Sequence, residues 1–208
     1  MYKRQVLDGW VVTGAPDELL KSGKSARVPL MIGNTAQELL LQGGDSAVRR
    51  AVARIFGPTA DQALDLYGLR DGRQPPDDPT LGSTAMQIAA DDTFRCPAEF
   101  TAAAHAASGQ RVWRYQMERA APGQPRIDHG SELTFIFDNR PLNISVDGVR
   151  PLLQSYWVNF IMHGDPNGPG LAAWPAYGDK RAYLAFTQSG PEARSELRAP
   201  FCALLQRP

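Results

Sequence analysis

The sequence predicts an α/β domain. Three short apolar runs, at 26–34, 111–117 and 182–186, have the length and composition of buried strands. Helical segments lie between and after them, and the stretches 46–56 and 148–164 repeat apolar residues at helical spacing. Strands alternating with helices build a mostly parallel sheet. With only three strands legible, such a sheet keeps open edges, so it is expected to be incomplete. A chain of 208 residues suffices for one domain with a sizeable core.

Each element follows from local chemistry. "ARVPLMIGN" (26–34) is an apolar run ending in Gly-Asn, a strand entering a loop. "SAVRRAVARIF" (46–56) places apolar residues at 47, 48, 51, 52, 55 and 56, with Ser46 or Asp45 as N-cap and Gly57-Pro58 as the stop. "TADQALDLYG" (59–68) predicts a second helix capped by Thr59. "LRDGRQPPDDPTLG" (69–82) is a Pro/Gly-rich loop, and "STAMQIAADDTF" (83–94) a helix after it. In 96–109 Pro97 suits a first helical turn and Gly109 a C-terminal cap. "RVWRYQM" (111–117) alternates Trp113, Tyr115 and Met117 with Val112, Arg114 and Gln116, which is strand periodicity. A long loop (118–132) follows. The clearest helix is 148–164, with Gly164 placed to end it. "AYLAF" (182–186) predicts a strand and 195–205 a terminal helix.

Composition narrows the function. Lys+Arg and Asp+Glu are both 22, so the formal net charge is zero. That argues against a phosphate-tracking nucleic-acid binder and against a polybasic membrane patch. No apolar run approaches a transmembrane span, and no signal-peptide pattern is present. Met1–Gln5, "MYKRQ", look like the translated tail of a sequencing adaptor. They are expected to be non-native, with the reading frame entered inside a longer gene. Cys96 and Cys202 are too few for a structural zinc site and too far apart for a redox pair; they are two buried thiols or one long-range disulfide.

Only three histidines could serve as a base: His105, His129 and His163. His105 sits mid-helix among alanines, and His163 falls at a helix C-terminus, where a histidine is electrostatically favoured. His129 lies in a loop after a strand, flanked by Gly130, where a sheet can hold a side chain toward a substrate. It is a candidate base or an ordinary loop histidine. A working histidine needs a carboxylate behind it, and Glu38 follows the strand 28–32 through the turn "GNTAQE". If the strands are parallel, both loops emerge at the C-terminal edge of the sheet, where α/β folds bind ligands. No nucleophile is evident. Gly-x-Ser-x-Gly is absent, and Ser46 reads as a helix cap. No metal-ligand spacing or phosphate-binding glycine loop occurs either.

The motifs "VPLMIGNTAQE", "DDTFRCPAEF", "HGSELTFIF", "LLQSYWVNFIMHGDPNGPGLAAWPAY" and "LRAPFCALL", in this order, carry a resemblance. The chain resembles the C-terminal part of a type-B carboxylesterase, from the cholinesterase-like group of α/β-hydrolases, over nearly its whole length. The resemblance implies one α/β-hydrolase domain whose C-terminal portion is 1–208, with the nucleophile elbow upstream. It implies ester hydrolysis by a Ser-Glu-His triad, with Glu38 as the acid and His129 as the base. It also implies a Cys96–Cys202 disulfide, a secreted or periplasmic location, a small-molecule carboxylic ester as partner, and no cofactor. The family also contains members that lack the serine and act in adhesion, so a non-catalytic interaction domain is the alternative. Gln37 and Leu39 stand where the family usually has Asp and Gly around the acid, and Thr134 where proline is common. Acyl and alcohol preference and oligomeric state are left open.

Overall fold

The computed structural model describes residues 7–41, 43–120, 123–137 and 149–205. Met1–Gln5 lie outside the described residues. Strands β1 (Leu30–Thr35), β2 (Val112–Met117), β3 (Ala182–Phe186) and β4 (Pro191–Ser195) form one sheet in that spatial order. The first three are parallel, and β4 returns antiparallel to β3. Leu30 pairs with Val112 and Thr35 with Met117, so β1 and β2 end level. The loops after them therefore leave the same edge. Among the described residues no strand pairs with the outer side of β1, in keeping with the incomplete sheet expected from the sequence.

Both faces of β2 are covered. Trp113 and Met117 join Leu153 and Tyr156 of α7 (Val149–His163) and Trp174 in the main core. The Tyr115 ring lies flat over Gly33, its partner in register, and a Cβ at residue 33 would sit within 2.3–2.5 Å of that ring. Gly33 is thus fixed by packing rather than by a turn. On the other face Arg114 and Gln116 are almost fully buried. Arg114 pairs with Glu99 of α5 (Cys96–Ala107), whose other oxygen accepts the Tyr177 hydroxyl at 2.5 Å. A buried charge survives only when paired in this way.

A second core joins α2 (Asp45–Phe56), α3 (Ala60–Leu66) and α8 (Ala199–Leu204), with Val52, Phe56 and Tyr67 around the Cys96–Cys202 disulfide. The bridge closes a loop spanning 106 positions. In the chain-entropy model a loop near this length contributes about 4–5 kcal/mol. Replacing both cysteines by serine should lower unfolding stability by about 3–5 kcal/mol, read as a lower urea midpoint against the oxidised wild type.

Several boundaries differ from the sequence reading. The helix expected from 46 starts at Asp45, with Gly44 at its N-cap and no side-chain cap. Thr59 holds the N-cap position of α3 but makes no side-chain cap bond; its hydroxyl instead lies within hydrogen-bond distance of the carbonyls of Phe56 (2.9 Å) and Leu204 (3.0 Å), tying α3 to α8. The segment 83–94 splits into α4 (Thr84–Ala90), capped by Ser83, and a π-helical turn, Asp91–Arg95, that runs straight into α5. The terminal helix begins only at Ala199. Residues 191–195 are the polar edge strand β4, and Glu196 and Arg198 take positive φ before the helix starts. Two short helices, α1 (Pro16–Lys21) and α6 (Leu133–Phe137), have too few residues to show a period. Among the described residues no helix is long and apolar enough to cross a membrane.

Candidate active site

The turn after β1 carries the acid. Ala36 N–H extends the ladder to the Met117 carbonyl at 2.9 Å, and Glu38 folds back so that its Oε1 accepts the Thr35 N–H at 2.6 Å. Its side chain is only 3% exposed. Gln37 anchors the turn from the other side by donating to the Thr80 carbonyl at 2.8 Å.

The loop after β2 carries the imidazole. Ile127 is buried in the main core, and Gly130 takes a positive φ in the turn that follows His129. His129 Nδ1 is hydrogen-bonded to Glu38 Oε2. The acid's remaining oxygen is therefore spent on the ring, and with the proton on Nδ1 the basic nitrogen is Nε2. The His129 side chain is 60% exposed, so the ring is reachable from outside while its partner is sealed in. Phe94, on the π-helical turn, lies against the ring with centroids 5.0 Å apart.

The structure thus unites Glu38 and His129, which stand 91 positions apart. The other two histidines are elsewhere. His105 is buried on α5 with Nε2 bonded to the Val28 carbonyl at 2.7 Å, and His163 is exposed at the end of α7. Cys96 is a half-cystine, and Ser46 is exposed on the first turn of α2.

Phe94 escaped the sequence reading, and so did two more residues near the pair, Tyr115 and Glu132. Burial pushes the Tyr115 phenol up, and the negative charges of Glu132 and Glu38 add to this. Burial also raises the Glu132 carboxyl; its own backbone N–H opposes this, Glu38 adds to it and His129 opposes it. Glu132 lies three positions after His129 in the quoted "HGSE", so its proximity in sequence was the available signal.

Glu132 gives a pH prediction. A carboxyl raised in the folded state binds its proton more tightly there than in the unfolded chain. Stability is then lost as pH rises from the unfolded value, about 4.3, through the higher folded value. Glu132→Gln removes that titration. It should raise Tm relative to wild type at neutral pH, with the advantage shrinking toward zero below about pH 4. Thermal melts across that range check it.

The sequence profile of the carboxylesterase family matches residues 2–205. The chain belongs to the carboxylesterase family. Carboxylesterase 4A of Bos taurus is 30% identical, over 93% of this chain and 40% of the relative. Carboxylesterase 1D of Mus musculus is 26% identical, over 98% of this chain and 42% of the relative. The crystal structure of the Geobacillus stearothermophilus carboxylesterase EST55 superposes with a TM-score of 0.76 at 26% identity, covering 97% of this chain and 45% of that one. The chain therefore has the architecture of part of an α/β-hydrolase fold, a four-stranded mixed sheet with its helices. It spans about two fifths of the length of the curated relatives it matches.

Proposed function

We propose that the protein containing this chain hydrolyses carboxylic esters through a Ser-Glu-His triad, and that residues 1–208 supply its second and third members. One observation carries the reading. A sealed carboxylate holds Nδ1 of an exposed imidazole at the C-terminal ends of two parallel strands, β1 and β2. In the reaction a serine hydroxyl from outside the 208 residues attacks the ester carbonyl. His129 Nε2 takes its proton, and Glu38 stabilises the imidazolium that forms. The tetrahedral intermediate collapses as His129 returns the proton to the leaving alcohol. Water, deprotonated by the same nitrogen, then releases the acid from the acyl-enzyme. Backbone N–H groups near the serine serve as the oxyanion hole. No cofactor takes part. The substrate is a small carboxylic ester, and the disulfide suits a secreted or periplasmic setting.

The coding sequence upstream of residue 1, together with turnover of a short-chain p-nitrophenyl ester by the full-length protein, tests this. A Gly-x-Ser-x-Gly elbow and hydrolysis stopped by a serine-directed inhibitor are expected. An upstream region without the serine, and no turnover, would favour a non-catalytic interaction domain. Residues 1–208 expressed alone should show no inhibitor-sensitive hydrolysis, because the nucleophile is elsewhere, and measurable activity from them would contradict the assignment.

A further inference from the structure

The π-helical turn Asp91–Arg95 touches the His129 ring and the turn that carries Glu38. Phe94 lies on the His129 ring, and the next residue, Arg95, reaches the acid's turn. The Arg95 side chain is wholly buried. Its Nη2 donates to the Ala36 carbonyl at 2.8 Å, its Nε to Gln116 Oε1 at 3.0 Å, and its Nη1 to Asp91 Oδ1. Ala36 lies between Thr35, whose N–H holds Glu38 Oε1, and Glu38 itself. The guanidinium thus grips the middle of the segment whose ends Glu38 closes.

The anchor behind Arg95 is firm. Asp91 Oδ2 accepts the Tyr67 hydroxyl at 2.8 Å and Arg198 at 2.6 and 3.0 Å. Arg198 leads into α8, and Cys96 follows Arg95 directly, so the disulfide fastens the same two segments together. Stability alone does not call for this arrangement. A buried ion pair is often replaceable by apolar groups of equal volume without loss of stability. What an apolar side chain cannot do is hold the Ala36 carbonyl in place. π-helical turns are rare and recur at functional sites.

We propose that Arg95 is a positioning residue for Glu38: it fixes the turn 35–38 in the shape that presents Oε2 to His129. This rests on the esterase reading above. The test uses Arg95→Met and Arg95→Lys in the full-length protein, each alone and combined with Glu38→Gln. Misplacing a catalytic group by about 1 Å costs about 100-fold, so Arg95→Met should lower kcat by about 10–100-fold with KM little changed. Arg95→Lys keeps the charge beside Asp91 but cannot reach all three acceptors, and should lose kcat as well. In the Glu38→Gln background neither change should cost anything more, because Arg95 acts only through Glu38. The far-downfield proton resonance of the His129–Glu38 hydrogen bond should be present in wild type and lost in Arg95→Met. Wild-type kcat in the folded variants, an additive loss on top of Glu38→Gln, an unchanged resonance, or failure of both variants to fold would overturn the proposal. Absence of turnover in the wild type would overturn the esterase reading instead, and the resonance would still decide the role of Arg95.

Discussion

Replacing His129 by alanine in the full-length protein should lower kcat by about four to six orders of magnitude. The loss is large because neither of the other two histidines in the 208 residues is placed to take the proton. His105 is buried and bonded to the Val28 carbonyl, and His163 closes a helix at the surface. Glu38 is sealed behind the ring, and one of its oxygens is held by the Thr35 N–H. Folding should survive, since the lost side chain is largely exposed. The buried carboxylate left with one partner fewer should cost about 1–3 kcal/mol or somewhat more. Steady-state kinetics on a short-chain p-nitrophenyl ester, with a thermal melt beside them, check both parts. Turnover within tenfold of wild type would remove His129 from the mechanism.

Glu38→Gln should cost about 10⁴-fold in kcat with little change in KM. The amide has the same size and can still accept the Thr35 N–H. Its NH₂ group, however, favours the opposite ring tautomer, and it carries no charge to offset an imidazolium. A loss confined to kcat marks an interaction made in the transition state rather than in substrate binding. A change in KM alone would make Glu38 part of a binding surface instead. Together the two substitutions should be strongly non-additive, because the residues act as one unit.

The long-period features were legible in the sequence. α2, α5 and α7 repeat apolar residues over several turns, and β1, β2 and β3 are short apolar runs between breakers. β4 was not, because "PEARS" is polar and exposed, and its strand state depends on tertiary partners: pairing with β3 and the Arg194–Glu118 ion pair. The π-helical turn was hidden for another reason: Asp91–Arg95 contains no glycine or proline to break the helices on either side, and only the backbone hydrogen bonding shows that its register shifts. The polar residues of β2 were legible as one face of a strand but not as a buried one. Their burial depends on Glu99, 15 positions before Arg114, and Arg95, 21 positions before Gln116, arriving to meet them.

The site was legible in its members and only partly in its assembly. His129 stood out by elimination among three histidines, and Glu38 by its place after a strand. Their pairing follows from the level ends of β1 and β2, which no local pattern encodes. Phe94, Tyr115 and Glu132 reach the pair from a helical turn, a strand and a loop, and each reads locally as an ordinary core or surface residue.

Covalent labelling with a fluorophosphonate probe tests the central claim most directly. Such a probe reports a serine only when a working base activates it. The full-length wild-type protein should be labelled at a single serine upstream of residue 1, and the His129→Ala protein, folded to the same extent, should resist labelling. Equal labelling of the two proteins, or none of the wild type, would contradict the account.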